Sequence, residues 1–484
     1  MPHVVTQSCC NDASCVHACP VNCIHPTPDE PDFGTAEMLY IDPAACVDCG
    51  ACVTACPVGA IRPHGGLDEA QRPFLEINAD FYKDGRTRRG ILAPHEPPLH
   101  VTTREPLRVA IVGSGPSAMY AADEILTIPG ARVDVYERLA TPYGLVRTGV
   151  APDHVDTRRV IEVFDRISRQ DGFHLHLGVE VGGRVGHADL LRDHHAVLYA
   201  TGASSDRRLD VPGADGVTTA TEFVAWYNGH PDHADHRFDL SHRRAVVIGN
   251  GNVALDVARV LTTPPDALAR TPVSRAALEA LRVGAVEEVV VVGRRGPADS
   301  AFTLPELVGL RSAVEVVVPP ADLVGLDDAS LKHRAIRDLG REPSGGRRVT
   351  LRYLLAPAEI TDTGVTFTRN APHTEDGRTT YVPTGETVHL EAGLVLTSIG
   401  YRARPLPGLP FDERRAVVPN DRGRVVDPAT GAPVPGTYVT GWIKRGPTGF
   451  IGTNKTCARE TVRQLVADHN AGRLPRPAAV PSPA

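Results

Sequence analysis

The sequence predicts a multidomain protein in which a small cysteine-rich α+β domain precedes two larger α/β domains. The chain has 484 residues, which is long for one compact domain. Nine of its ten cysteines lie between Cys9 and Cys56. Two glycine-rich motifs, beginning at Gly113 and Gly249, each follow a β-type run and precede a helical run, which is the pattern of an α/β nucleotide-binding unit.

The charge of the chain is distributed as unevenly as its cysteines. The formal net charge is −7, and residues 1–60 contain seven acidic residues and no Lys or Arg, so the remaining 51 basic and 51 acidic residues cancel. No basic stripe suggests nucleic-acid binding. Because the sequence shows neither a signal-peptide pattern nor an apolar run of membrane-spanning length, we expect a cytoplasmic protein with no membrane insertion.

The second half of the cysteine-rich region carries the spacing of an iron–sulfur motif. It reads Cys46-x2-Cys49-x2-Cys52-x3-Cys56-Pro57. In proteins with this run, three thiolates bind one cluster and the fourth binds a second cluster. The first half has the same spacing with an aspartate in place of the second thiolate. It reads Cys9-x2-Asp12-x2-Cys15-x3-Cys19-Pro20.

If the fourth cysteine of each motif binds the cluster of the other motif, the sequence predicts one complete and one incomplete cluster site. The complete site, suited to a [4Fe-4S] cluster, has the ligands Cys19, Cys46, Cys49 and Cys52. The incomplete site has the ligands Cys9, Cys15 and Cys56. Its cluster is either [3Fe-4S] or a [4Fe-4S] cluster whose last iron is held by Asp12 or water. Cys10 is an alternative ligand, and Cys23 is expected to pack beside the complete site. A pair of zinc sites is the competing interpretation, but zinc favours two paired motifs.

Residues 1–62 resemble the two-cluster bacterial ferredoxins, in both cysteine spacing and the strand-like segment Met38–Asp42. The resemblance implies the two-cluster ferredoxin fold. Residues 63–106 are rich in proline, glycine and charge, and we interpret them as a linker with one short strand at Phe74–Ile77.

The first glycine motif predicts a site for an adenine dinucleotide. The β-type run Leu107–Val112 leads into Gly113-Ser-Gly115-Pro-Ser-Ala118 and then a helical run, so a helix N-terminus faces the pyrophosphate. The next strand ends in Glu137, at the position from which an acid binds ribose hydroxyls.

The second glycine motif predicts a nucleotide with a 2′-phosphate. It reads Gly249-Asn-Gly251-Asn-Val-Ala254, and the next strand ends in Arg294-Arg295 instead of an acid. Guanidinium groups bind phosphates by charge-assisted bonds, which favours NADP over NAD. The alternative is a solvated arginine pair. The long separation of Gly249 and Arg294 requires a helical insertion near residues 263–285.

Residues 107–470 resemble the adrenodoxin reductase-type ferredoxin–NADP reductases. The matching segments are Gly144–Arg147, Val150–His154, Gly249–Arg259, Gly293–Pro297 and Gly441–Gly449. The resemblance implies two Rossmann-like domains of the glutathione/adrenodoxin reductase type, an FAD-binding domain formed by residues 107–212 and 394–470 and an NADP-binding domain at 213–393, followed by a flexible tail at 471–484. With its cysteine-rich region, the whole chain is similar to the mycobacterial fusions of a ferredoxin with such a reductase.

The resemblance also implies roles for individual residues. The adenine half and ribityl chain of FAD would be held by Gly113, Gly115, Ser117, Glu137, Leu145 and Val181, and the isoalloxazine by Trp442, Gly449, Phe450 and Ile451. NADPH would be held by Arg207, Asn250, Gly251, Asn252, Val253, Arg294, Arg295 and Glu306. His154 would be a catalytic residue near the nicotinamide, the alternative being a histidine that only caps a helix. The family pattern has an acid where this chain has Gly309, so we expect an incomplete acid–histidine pair.

The implied activity is that of a ferredoxin–NADP(+) reductase with a built-in carrier. A hydride would pass from NADPH to FAD, and single electrons would pass through the clusters to a redox partner such as a ferredoxin or a haem mono-oxygenase. One alternative is the electron-input module of a glutamate synthase-like complex. Another is an iron–sulfur redox sensor with a vestigial flavin fold.

Overall fold

The computed structural model describes residues 2–83, 92–94, 97–103 and 105–478. These residues form a cysteine-rich domain, here called the head (residues 2–83), and two α/β domains, which confirms the predicted fold class. The part of the predicted linker at 84–91, 95–96 and 104 and the end of the predicted tail at 479–484 lie outside the described residues.

The head is built from two small antiparallel sheets and three helices. β1 pairs with β4 and β2 pairs with β3. Each cysteine motif contains one short helix: α1 lies in the first motif, and α2 lies at the corresponding position of the second. The elements are β1 His3–Val5, α1 Ser14–Ala18, β2 Ile24–His25, β3 Tyr40–Ile41, α2 Ala51–Ala55, β4 Ile61–Pro63 and α3 Pro73–Asp80.

The strand predicted at Phe74–Ile77 is wrong, because this segment is part of helix α3. Phe74 and Ile77 lie one turn apart and are buried in the core of the head. The Asn78 side chain accepts hydrogen bonds from the amides of Val5 (3.2 Å) and Ile41 (2.9 Å) and donates to the Val5 carbonyl (2.9 Å). The head therefore extends beyond residue 62, and the predicted linker begins too early.

The first α/β domain begins with strands that alternate with helices. β5 lies between β6 and β8 in a parallel arrangement that continues to β7. The elements are β5 Arg108–Val112, α4 Pro116–Leu126, β6 Arg132–Glu137, α5 Leu145–Thr148, α6 Val155–Arg158, α7 Val160–Ser168, β7 Phe173–Leu177, α8 His187–Asp193, β8 Ala196–Tyr199 and β9 Ser205–Asp206.

The second α/β domain has a five-stranded parallel sheet in the order β12-β13-β11-β10-β17 and a three-stranded antiparallel sheet β14-β15-β16. The predicted helical insertion is present as α11 and α12. The elements are α9 Ala220–Tyr227, β10 Arg244–Ile248, α10 Asn252–Thr262, α11 Pro265–Leu268, α12 Arg275–Val283, β11 Glu288–Val292, α13 Leu304–Ala313, β12 Glu315–Val317, α14 Leu331–Arg337, β13 Arg348–Arg352, β14 Leu355–Thr361, β15 Gly364–Glu375, β16 Arg378–Glu391 and β17 Leu394–Thr397.

The chain returns to the first domain after β17. The predicted boundary at residue 394 is wrong, because β17 pairs with β10 in the second domain. The two domains are joined where β18 pairs with β9. The returning strands complete a seven-stranded sheet in the order β19-β20-β21-β8-β5-β6-β7. The returning elements are β18 Tyr401–Arg402, β19 Asn420–Asp421, β20 Arg424–Val426, β21 Pro433–Val439, α15 Trp442–Arg445 and α16 Thr453–Asn470.

The described part of the predicted flexible tail lies against the first domain. The Ala478 amide donates to the Arg192 carbonyl (2.7 Å), and Arg473 pairs with Asp468. Residues 471–478 are therefore attached by hydrogen bonds and an ion pair.

The head packs against both α/β domains. Cys10, Val58 and Ala60 belong to the apolar core of the first domain. Leu304 of the second domain is buried in the core of the head. The Glu37 carboxylate accepts a hydrogen bond from the Leu304 amide (2.8 Å) at the start of α13. The head is thus in contact with the N-terminal end of a helix in the second domain and with the core of the first.

Candidate cofactor and cluster sites

The four cysteines of the predicted complete site line one cavity in the head. They are Cys19, Cys46, Cys49 and Cys52, here called the four-cysteine site. Burial, together with the other three thiols, raises the pKa of Cys52 to about 12. Ionised thiols packed this closely repel one another and need a bound cation, so this donor set fits an iron–sulfur cluster. Cys23 lines the same cavity, and its Sγ lies 3.4 Å from the Cys19 Sγ.

A second group of thiols, here called the three-cysteine site, comprises Cys9, Cys15 and Cys56. Burial and the Cys56 and Asp12 charges raise the pKa of Cys9 to about 12. Burial also raises the pKa of Cys15, and the charges of Cys9, Asp12 and Cys56 add to this effect. The structure therefore brings these three thiols and the Asp12 carboxylate near one another.

The Asp12 carboxylate is bonded within its own loop. It accepts hydrogen bonds from the Ser14 hydroxyl (2.5 Å) and the Ser14 amide (3.3 Å). Cys10, the alternative ligand, is 4% exposed and packs in the core of the first α/β domain.

The first glycine turn lies at the carboxyl end of β5, as expected for a dinucleotide site. Gly113 has a φ of 96°, and a Cβ there would lie 2.7 Å from the Ala200 carbonyl oxygen, so only glycine fits. A Cβ at Gly115 would meet no atom within 4 Å, which leaves open space before the N-terminus of α4. The Glu137 carboxylate accepts from the Ser114 amide (3.1 Å) and hydroxyl (2.6 Å).

The other predicted flavin contacts lie on neighbouring elements of the first domain. The Ser117 hydroxyl is 2.9 Å from that of Thr440, at the end of β21. The Trp442 ring donates to the Thr448 carbonyl (3.1 Å), which fixes it against the turn containing Gly449 (φ 80°). That turn continues through Phe450 and Ile451, while Leu145 begins α5 and Val181 bridges to Val185. Because β5, β6, β8 and β21 run parallel, their carboxyl ends form one edge, which is where nucleotides bind such sheets.

The second glycine turn has the same construction in the second domain. Gly249 has a φ of 117°, and a Cβ there would lie 2.1 Å from the Ser398 carbonyl oxygen. Gly251 precedes α10, whose first residues are Asn252 and Val253. The Asn252 side chain accepts from the Thr303 amide (2.8 Å), which ties α10 to α13.

Arg294 and Arg295 are exposed after β11, on the same side of the sheet as the second glycine turn. The Arg294 carbonyl accepts from the Asn370 side chain (2.8 Å), and Arg295 lies 3.4 Å from Asp299. Asn250 packs against Gly293, directly before this pair. Arg207 lies at the crossing between the domains, where its amide donates to the Gly400 carbonyl (2.9 Å).

His154 lies in a charged group between the two α/β domains, here called the interface charge cluster: Asp153, His154, Asp256, Arg259 and Glu306. His154 Nε2 is 3.0 Å from Asp256 and 3.6 Å from Glu306. The expectation of an incomplete acid–histidine pair is therefore wrong, because acids other than residue 309 provide the partners. Asp256 and Arg259 were not predicted as site residues, although their i,i+3 spacing on α10 places them on one face.

The carboxylates determine the protonation of His154. Burial alone would lower the pKa of His154, but Glu306 and Asp256 outweigh it and raise that pKa to about 9. Arg259, which is 4% exposed, binds both Asp153 and Asp256. The cluster therefore joins the first domain to α10 and α13 of the second by charge-assisted bonds.

The head contacts the first domain beside the turn of Gly449. The Gly452 amide donates to the Cys10 carbonyl (2.6 Å), and a Cβ at Gly452 would lie 2.1 Å from the backbone of Asn11 and Asp12. The three-cysteine site thus adjoins the predicted isoalloxazine contacts.

Among the described residues, no helix has both the length and the apolar character needed to cross a bilayer.

Comparison with known proteins agrees with this arrangement. Residues 107–292 match the model of the pyridine nucleotide-disulphide oxidoreductases, and residues 39–62 match a 4Fe-4S binding domain. A probable ferredoxin/ferredoxin–NADP reductase of Mycobacterium tuberculosis is 58% identical over 501 residues, covering 100% of this chain and 86% of that protein. Human mitochondrial NADPH:adrenodoxin oxidoreductase is 40% identical, covering 78% of this chain and 82% of that protein. The structure of M. tuberculosis FprA in complex with NADPH matches with a TM-score of 0.71 and 44% identity, covering 76% of this chain and 85% of that chain.

The fold and sites define a pyridine-nucleotide flavoprotein oxidoreductase joined to an iron–sulfur domain. Within that class the chain belongs to the ferredoxin/ferredoxin–NADP reductase family, which its full-length relatives share. The resemblance inferred from the motifs is confirmed.

Proposed function

We propose that the chain oxidises NADPH and delivers single electrons to an external acceptor through its own head, as a ferredoxin–NADP(+) oxidoreductase. The bound cofactors supply the redox chemistry: hydride transfer to FAD, release of its electrons one at a time, and one-electron relay by the clusters. The observation that carries the proposal is the contact of Cys10–Asp12 with Gly452, because it joins the head to the flavin-binding edge of the first domain.

The residues of the two glycine turns would hold the nucleotides. FAD would be held by Gly113, Gly115, Ser117, Glu137, Leu145 and Val181, with Trp442 and Gly449–Ile451 at its ring. NADPH would be held by Arg207, Asn250–Val253, Arg294, Arg295 and Glu306. Open space before α4 and the exposed guanidinium pair support this assignment. His154 would act from the interface charge cluster on the nicotinamide side.

The two cluster sites would act in a fixed order. The three-cysteine site faces the first domain, since its loop contacts Gly452. The four-cysteine site faces solvent: Cys49 is exposed, and the Val47 side chain beside it is 59% exposed. The head would therefore receive electrons at the three-cysteine site and release them at the four-cysteine site to a one-electron acceptor such as a ferredoxin or a haem mono-oxygenase.

We propose a [4Fe-4S] cluster at the four-cysteine site and a [3Fe-4S] cluster at the three-cysteine site. The four thiols that line one cavity support the first assignment. The presence of three thiols, one fewer than a [4Fe-4S] cluster takes from cysteine, supports the second assignment.

Anaerobic titration with NADPH, followed by absorbance and EPR, tests this function. We expect bleaching of flavin absorbance, cluster EPR signals that change as electrons are added, and reduction of cytochrome c by the isolated chain. A purified protein without flavin absorbance would overturn the enzyme assignment. Complete inactivity until a partner is added would instead favour an input module of a larger complex.

A further inference from the structure

The head also reaches the second domain through Gln7. The Gln7 Nε2 donates a hydrogen bond to the Glu306 Oε2 at 2.9 Å. The same amide group lies over Gly309, where a Cβ would come within 2.2 Å of it. Glu306 and Gly309 are three residues apart on α13 and share one face of that helix. The missing side chain at Gly309 therefore provides the space that Gln7 occupies.

Glu306 is held from three sides. His154 of the first domain lies 3.6 Å from its carboxylate, and Arg259 of the second domain lies 3.8 Å away. Burial raises the pKa of Glu306, so its ionised form depends on nearby donors and positive charge. Gln7 is the neutral donor in this set and comes from the head, about 300 residues away in sequence.

We propose that Gln7 is a positioning residue for the nicotinamide site: it orients the Glu306 carboxylate, so that the docked head forms part of the NADPH site. The inference rests on the proposed function, in which Glu306 holds NADPH and its neighbour His154, 3.6 Å away, acts on the nicotinamide side. Without Gln7 the Glu306 carboxylate would lose its neutral donor and keep only His154 and Arg259 as partners in this set. Since coupling between two binding events is reciprocal, NADP(H) binding also strengthens docking of the head.

Two substitutions on opposite sides of the contact test the proposal in the full-length holoprotein. Gln7→Ala removes the donor. Gly309→Ala fills its space, and it suits the fold because alanine favours a helix interior over glycine and the displaced group is the end of a flexible side chain. Gln71→Ala is the matched control, since Gln71 lies in the head and its side chain accepts a long hydrogen bond from the Asp68 amide (3.4 Å) at a partly exposed site.

We expect each of the two substitutions to raise the dissociation constant of NADP(+), measured by calorimetry, about fivefold, the factor for one lost hydrogen bond. The double variant should be no weaker than either single variant, because both remove the same contact. Gln71→Ala should bind like the wild type. Wild-type-like binding by Gln7→Ala, or additive losses in the double variant, would overturn the proposal.

Hydrogen exchange gives a second readout that does not depend on turnover. NADP(+) should slow amide exchange in β1 and the following Thr6–Cys9 segment of the wild-type holoprotein, and it should do so less in Gln7→Ala. Equal slowing in both proteins would contradict the coupling. If the wild type itself fails to bind NADP(+), the proposed function fails, and that result differs from a variant that binds normally.

Discussion

The Gly452 amide donates to the Cys10 carbonyl oxygen at 2.6 Å, across the boundary between the first domain and the head. Gly452 has a φ of −73° and a ψ of −25°, which any residue can adopt. Gly452 therefore lacks a side chain because the backbone of the head approaches it closely. The conformation of Gly452 itself would allow any residue.

Replacement of Gly452 by alanine is expected to separate the head from the flavin. The added Cβ would lie 2.1 Å from backbone atoms of Asn11 and Asp12, which have no side-chain freedom to move away. NADPH-dependent reduction of ferricyanide, a direct flavin acceptor, should persist, while cytochrome c reduction through the head should fall on the order of tenfold or more. Gly34→Ala is the control, since a Cβ there meets no atom within 4 Å. Equal loss of both activities would argue against an electron route through this contact.

Neutral replacements of Arg294 and Arg295 are expected to weaken the preference for NADPH over NADH. Each guanidinium that binds the 2′-phosphate contributes about 1.5–3 kcal/mol, so the combined variant should lose at least about tenfold in the ratio of kcat/KM values. Arg275→Ala, on the exposed surface of α12, is the control. An unchanged cofactor preference would show that the pair is only solvated.

Replacement of His154 by glutamine is expected to remove a pH dependence of stability. The folded-state pKa of His154, about 9, lies above the ordinary histidine value of 6.5, so its ion pairs with Glu306 and Asp256 contribute fully below pH 6.5 and are lost as the pH rises through 9. The wild type should lose thermal stability between pH 7 and 9.5. His154→Gln should be less stable at pH 7, by on the order of 2 kcal/mol, and should change less over that range.

The exposed His373, beside Glu375 on the second domain, provides the control for this experiment. His373→Gln should retain the pH profile of the wild type. A His154→Gln profile that parallels the wild type would contradict the assigned ion pairs.

Asp12→Cys is expected to convert a three-iron cluster into a four-iron cluster. It restores the missing thiolate at the second position of the first motif. The EPR signal of the oxidised three-iron cluster should disappear, and iron content should rise by one atom per chain. Asp12→Asn, which removes the carboxylate without adding a thiol, should keep the three-iron signal. A wild type that already contains eight irons would contradict the assignment.

Asn78→Ala is expected to destabilise the head. It leaves the buried amides of Val5 and Ile41 without their acceptor, at a cost of about 1–3 kcal/mol for each unpaired group. Thermal loss of cluster absorbance should occur at a lower temperature than in the wild type. Gln71→Ala, in the turn before the same helix, should have little effect. An unaltered melting temperature would show that the hydrogen bonds of Asn78 do not stabilise the head.

Local spacing made much of this protein predictable. Each cysteine motif and each glycine turn is a short stretch of consecutive residues, so its presence could be predicted from local spacing alone. The α3 helix was missed because Phe74 and Ile77 form too short a pattern to distinguish a helix from a strand, although Pro73 is a helix-start signal.

Contacts between distant parts of the chain were not predictable in this way. Leu394–Thr397 is an apolar strand that suits either parallel sheet, and only its pairing with β10 assigns it to the second domain. No sequence pattern links Gln7 to Glu306 or His154 to Asp256, because the partners belong to different domains and lie 299 and 102 residues apart.

The contact of Glu37 with the start of α13 has a mechanical consequence. The chain crosses between the two α/β domains at the β9–β18 pair, and the interface charge cluster also joins them. The head bridges the same two domains, contacting Gly452 of the first and Leu304 of the second. A rotation of the second domain relative to the first would have to break these head contacts, so docking of the head opposes such a rotation.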